Sequence, residues 1–152
     1  MNYLNHIKSN LDVRMKIYGT GWDSSSVPKA LRRNFMGPAL DQDYAKAIAG
    51  AKICLGFLNN EVKDDFTTRT FEIPAAGGFF LAERTKEHLK IFEEDTEAVF
   101  FDNKQELLSK VNYFLKEDVK RKEISELGHK KIIEGPYTWD KIIKDITNSI
   151  DL

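Results

Sequence analysis

An α/β fold with a mainly parallel sheet and helices on both faces is predicted by three features of the 152-residue sequence. Segments of strand-like apolar patterning alternate with segments of helical period, the order that parallel strand–helix units impose. Residues 52–58, KICLGFL, form a nearly continuous apolar run, expected of a parallel strand covered on both sides. Residues 64–80, DDFTTRTFEIPAAGGFF, read as a polar loop, a short helix begun by threonines and closed by Gly77-Gly78, and another apolar strand.

From the N-terminus, VRMKIY at 13–18 alternates apolar and basic residues as a strand does, and Gly19-Thr20-Gly21 ends it. A helical turn over 27–33 and a short strand at 34–37 follow. Asp41 is placed to cap a helix reaching Ala51, with Tyr44, Ala47 and Ile48 on one face. After the KICLGFL strand and the signature helix come FFLAE as a strand, a helix over 85–92 and a final strand at 97–101. Asn103 caps a helix whose Leu107, Leu108, Val111 and Phe114 share a stripe, and Asp118 or a neighbour restarts helix as far as Ile133. Gly135-Pro136 breaks it, and a last helix from Thr138 carries Trp139, Ile142, Ile143, Ile146 and Ile150 on one side. The pattern predicts one domain over 1–152, a Rossmann-like sheet with a helical C-terminus and ligands at the carboxyl ends of its strands.

Composition narrows the function classes. With 41% hydrophobic and 31% charged residues and a formal net charge of −1, the chain has an ordinary globular balance and no general attraction for nucleic acid. Residues 1–60 hold 8 Lys or Arg against 4 Asp or Glu, an early positive excess that suits an anionic ligand or simply solvated surface. No apolar run reaches the length of a membrane span and no signal-peptide pattern opens the chain, so the cytoplasm is the expected location. The single Cys54 falls inside the apolar run and is expected as a buried small hydrophobe. His6, His88 and His129 lack metal-ligand spacing, and no nucleophile triad or Walker lysine is visible, so no metal and no cofactor are expected.

The chemistry concentrates at the signature helix. A helix start presents unpaired N–H groups and a partial positive charge, so Thr67 and Thr68 can cap the helix, receive an anion, or do both. Arg69, one residue inside, opposes the helix dipole, a small cost that a nearby anion or Asp64 or Asp65 would offset. Glu72, one turn on, can accept hydrogen bonds from a pair of vicinal hydroxyls such as a ribose offers. That order fits a nucleoside diphosphate. Gly19 and Gly21 allow either a close backbone approach to a ligand or a tight turn, and the run GTGWDS lacks the third glycine of a dinucleotide fingerprint.

Taken together, RTFEIPAAGG, IYGTGW, MGPALDQDYAKAIAGAKICLGF and ELGHKKIIEGPYTW resemble the donor-binding half of GT-B glycosyltransferases of the group 1 clan, and within it the spore-maturation CgeB type. The resemblance covers roughly residues 12–140. It implies a nucleotide-diphosphate sugar as substrate, with UDP the expected nucleotide, and transfer to an acceptor hydroxyl. Glu72 corresponds to the acidic residue that holds the ribose. Relatives carry a second acidic residue with seven residues between it and the first; Asp64 stands there, one methylene shorter than the commoner glutamate, with Asp65 as an alternative. The loop at Gly37 and Leu40 corresponds to the one lying against the base through backbone groups. The resemblance also implies an N-terminal acceptor-binding domain or partner chain facing this one, without which the chain is expected to transfer no sugar, and a counterpart of the domain's first strand is not found before Asn10. C-terminal helices of resembling enzymes cross onto that facing domain, so part of the last apolar stripe is expected to be exposed and to favour self-association. Two other readings stay open: a stand-alone nucleotide-binding or regulatory module without transfer, and a structural or receiver-like domain, the latter disfavoured because KICLGFL runs into Asn59-Asn60 rather than a phosphoacceptor aspartate.

Overall fold

The computed structural model describes residues 2–25, 27–58 and 64–150, so Asn59-Asn60 lies outside the described residues. Three short strands, β1 (Cys54–Gly56), β2 (Phe80–Glu83) and β3 (Val99–Phe101), pair in parallel in that order, with Leu55 opposite Leu81 and Ala82 opposite Phe100. All sit where apolar runs were expected. Their side chains alternate between two cores. Leu81, Val99 and Phe101 point to one with Phe79, while Phe80, Ala82 and Phe100 point to the other with Cys54 and Ala98. Burying each phenylalanine contributes about 1.5–3 kcal/mol, which is why such short strands hold together.

The first core is closed by α1 (Asn2–Asn10) through Ile7 and by α6 (Lys104–Phe114) through Leu107, Val111 and Phe114. Asn103 caps α6 as expected, its Oδ1 accepting from the N–H groups of Gln105 and Glu106 at 3.1 and 3.0 Å. The second core is closed by α3 (Asp41–Ala49) through Ile48, α4 (Arg69–Ala75) through Ile73, and Phe92 just after α5 (Lys86–Ile91). α7 (Asp118–Glu134) serves both cores, giving Ile124 to one and Ile132 to the other. Helices therefore cover both faces of a parallel sheet, the Rossmann-like arrangement.

α7 approaches the sheet closely enough to need a glycine. A Cβ on Gly128 would lie 2.3 Å from the Glu97 carbonyl oxygen. Beside it, His129 Nδ1 is 3.1 Å from the Pro74 carbonyl; that partner only accepts, so Nδ1 donates and ties α7 to α4. α8 (Trp139–Ser149) follows the Gly135-Pro136 break, and its Lys141 ammonium donates to the Ile133, Glu134 and Gly135 carbonyls at 3.0, 2.6 and 2.9 Å, closing the end of α7. None of α8's residues is buried, and Trp139 is 79% exposed. The expected partial exposure of its stripe is thus observed.

Local expectations needed correction in the N-terminal third. Residues 13–18 and 34–37 are not strands; they meet in one parallel bridge, Ile17 to Phe35. The ladder stops at one bridge because Gly19, Gly21 and Gly37 adopt φ of 130°, 77° and 82°, outside the extended backbone that strand pairing needs. Between them lies α2 (Lys29–Arg32), inside the expected turn, whose Leu31 packs with Leu4, Ile17 and Val27, a cluster that also receives Trp22, Leu55 and Phe57. Asp41 is not a cap: the N-cap position is Leu40, without a side-chain bond, and Asp41 is itself the first helical residue with φ of 49°. α1 was not anticipated; Tyr3 stacks on Phe57 at 5.6 Å and meets Phe101 edge-on at 5.2 Å, so an apparently polar N-terminus covers the sheet.

Candidate functional site

Parallel strands send their following helices back from one edge of the sheet, so the starts of α3 and α4 stand at the carboxyl edge, where α/β folds take ligands. At that edge the two glycine loops are joined, Gly19 N–H donating to the Gly37 carbonyl at 3.1 Å. The second loop runs into α3, where the Leu40 carbonyl accepts from the N–H groups of Asp43 and Tyr44 at 3.0 and 3.3 Å. The Gly37 and Leu40 carbonyls are thus engaged within the protein, and Leu40 presents a side chain that is 72% exposed.

Tyr44, in the first turn of α3, donates from its hydroxyl to Glu72 Oε2 at 3.1 Å. Glu72 is exposed in the first turn of α4. Burial first, and then the adjacent Glu72 carboxylate that accepts its proton, push the Tyr44 phenol up to about 12, while the Arg69 guanidinium acts in the opposite sense. Arg69 therefore lies close enough to this pair to be felt. It is exposed and makes no ion pair among the described residues, so neither Asp64 nor Asp65 neutralises it.

The start of α4 differs in one respect from the expected threonine cap. Thr68 occupies the N-cap with a helical backbone and no side-chain cap bond. The Thr67 N–H is taken instead by Thr70 Oγ1 at 3.3 Å, and Thr70 Oγ1 lies 3.0 Å from His88 Nε2. His88 Nδ1 faces the Glu83 carbonyl at 2.7 Å and must carry the proton, which leaves Nε2 to accept from the Thr70 hydroxyl. Thr70 and His88 are each 1% exposed, and the imidazole stacks on Phe100 at 5.2 Å. Burial holds the His88 pKa below the ordinary histidine value against the opposing pull of the Glu83 carbonyl and carboxylate. A neutral histidine thus supports the helix start from below.

Asp64 is half-buried, and the next residue's carbonyl, Asp65 O, accepts from Thr85 Oγ1 at 2.8 Å, which fastens this loop to the start of α5. Glu83 gathers the same edge from the other side: its Oε2 accepts from Leu58 N–H at 2.7 Å, and Tyr3 on α1 is its neighbour, the phenol raised mainly by burial and further by the Glu83 charge. Sequence reasoning passed over Tyr44, Thr70, His88 and Glu83. The available signal was a phenol on the otherwise small and aliphatic face of α3; nothing in the spacing marked the other three.

Cys54 is buried as expected, and burial pushes its thiol up to about 12, so it stays protonated at neutral pH. Among the described residues no group of His, Cys, Asp and Glu could hold a metal ion. A cleft of about 610 Å³ lies at the opposite end of the sheet between Lys52, Gly77, Asp118 and Arg121. It opens beside the amino end of β1, where this fold class does not place ligands.

Fold and edge together define a Rossmann-like α/β domain with, at the first turn of the helix after β1, an acid and an arginine that makes no ion pair among the described residues. The chain belongs to the glycosyl transferase-like family, whose model matches residues 2–148, and its role is in glycosyl transfer. No curated protein matches it. Among the described residues, no helix is long and apolar enough to cross a membrane.

Proposed function

We propose that this chain is the donor-binding part of a CgeB-like GT-B glycosyltransferase, taking a nucleotide-diphosphate sugar, with UDP as the nucleotide. The observation that carries the reading is the placement of exposed Glu72 and exposed Arg69, which makes no ion pair among the described residues, in one turn of helix at the carboxyl edge. The carboxylate accepts the ribose hydroxyls. Arg69 and the N–H groups of Thr68 and Arg69 face the diphosphate, the Thr67 amide being already engaged. The base lies against the Gly37–Leu40 loop and Gly19-Thr20-Gly21, and Asp64 stands nearest the donor sugar.

Transfer needs an acceptor hydroxyl and a base held against the donor, and such positioning is worth about 7–11 kcal/mol. We place those groups in a facing domain or partner chain, so these 152 residues bind donor without transferring sugar. Calorimetric titration with UDP, GDP, ADP and CDP is the test. UDP is expected to bind best, at roughly millimolar to high-micromolar Kd, because one half of a bilobed site makes few contacts. Absence of any nucleotide binding overturns the reading; Glu72-dependent glycosylation of an acceptor by the chain alone overturns the division of labour.

A further inference from the structure

Resting on that nucleotide-binding reading, we infer that Tyr44 is a positioning residue which orients the Glu72 carboxylate for the ribose diol and couples it to the base-binding loop. A glutamate on an exposed helix turn samples many rotamers, and a bidentate contact to two vicinal hydroxyls requires one of them. Tyr44 selects it. The phenol has only two side-chain torsions, is half-buried against the Ile48–Cys54–Ile73 core, and gives its single proton to Oε2 at 3.1 Å. Among the described residues no other donor reaches Glu72, so Oε1 and the remaining lone pair of Oε2 stay open for two incoming hydroxyls.

The same residue is bonded to the loop. Its backbone N–H donates to the Leu40 carbonyl at 3.3 Å, the last residue before α3, while its side chain reaches across to α4. One residue thereby spans the two elements that a nucleoside would bridge, base on one and ribose on the other. The phenol remains a donor throughout the neutral range because it is protonated up to about 12.

A tie that merely holds two helices together would give the same hydrogen bond, and a ligand cycle separates the two roles. The chain, its Tyr44→Phe variant and its Glu72→Ala variant are titrated with UDP and with 2′,3′-dideoxy-UDP, which has the same base and diphosphate but no diol. Thermal denaturation verifies that Tyr44→Phe, which keeps the ring, remains folded. Tyr44→Phe is expected to weaken UDP about 3- to 10-fold, since Glu72 keeps its charge and loses only the bond that orients it, and to leave the dideoxy nucleotide unchanged. If Glu72→Ala weakens UDP but Tyr44→Phe does not, or if Tyr44→Phe weakens both nucleotides alike, the site stands and the positioning role is overturned. If Glu72→Ala leaves UDP binding unchanged, the ribose assignment fails and the positioning role fails with it.

Discussion

Replacing Thr70 by valine keeps the shape of a side chain that is 1% exposed and removes only its hydroxyl. Two groups lose their partner. His88 Nε2, buried and committed to accepting because Nδ1 donates to Glu83, is left without a donor, at about 1–3 kcal/mol. The Thr67 N–H loses Oγ1 as well, at smaller cost because Thr67 is only half-buried and water can replace the bond. A total of about 2–3 kcal/mol follows, and with roughly 2–4 °C per kcal/mol for a domain of this size the melting temperature should fall by about 4–12 °C. Differential scanning calorimetry at about pH 8, where His88 is neutral folded or unfolded, measures this directly. Thr70→Ser, which restores the hydroxyl, should recover most of the loss. A valine variant within about 1 °C of the parent would refute the reasoning, since an orphaned buried acceptor cannot be that cheap.

The same imidazole makes stability depend on pH. Its folded pKa lies below the unfolded value of 6.5, so below that pH the unfolded chain binds more protons and stability falls with pH, flattening once the folded pKa is passed. Urea midpoints measured from about pH 7.5 down to about pH 5 should show this fall, and it should be shallower in His88→Leu. Gly128→Ala should destabilise by about 1–3 kcal/mol despite alanine's better helix propensity, because its Cβ would meet the Glu97 carbonyl at 2.3 Å; an unchanged or raised denaturation midpoint contradicts the close approach of α7. Lys141→Met should fray the last turn of α7, read as faster amide exchange at residues 131–135 with the sheet unaffected; unchanged exchange there contradicts the capping role.

The sheet and most helices were legible because their signals are local. FFLAE is buried on both faces, and in KICLGFL buried Cys54 and Gly56 alternate with half-buried Ile53, Leu55 and Phe57, so neither run carries polar alternation; Asn103, Gly77-Gly78 and Gly135-Pro136 mark ends by their own backbone chemistry. The N-terminal third was misread for an opposite reason. VRMKIY has the alternation of a strand, yet whether alternation becomes a ladder depends on a partner of matching length, and the glycines at 19, 21 and 37 permit one bridge only. α1 was missed because its apolar residues, Leu4 and Ile7, are few and become meaningful only against Phe57 and Phe101, far along the chain.

At the candidate site, the sequence alone puts Glu72 and Arg69 within one turn of a helix, as the structure does. What supports them was not. The Tyr44–Glu72 contact spans 28 residues and the Thr70–His88 contact 18, and no periodicity links such pairs. The threonines illustrate the limit from the other side: two of them before a helix suggest a cap, but Thr67's amide goes to Thr70, whose hydroxyl is itself held by His88. Propensity names the residues suited to a task. Packing decides which residue performs it.

The central claim, a nucleotide held by Glu72 at the start of α4, is tested most directly by mapping amide chemical shifts during a UDP titration of the chain and of Glu72→Ala. Shifts should cluster at residues 19–22, 37–44 and 67–72. The alanine variant should lose about 1.5–3 kcal/mol of binding, a charge-assisted contact's worth, which moves the affinity by one to two orders of magnitude. Shifts scattered away from α4, or a titration curve unaltered by Glu72→Ala, would contradict the account.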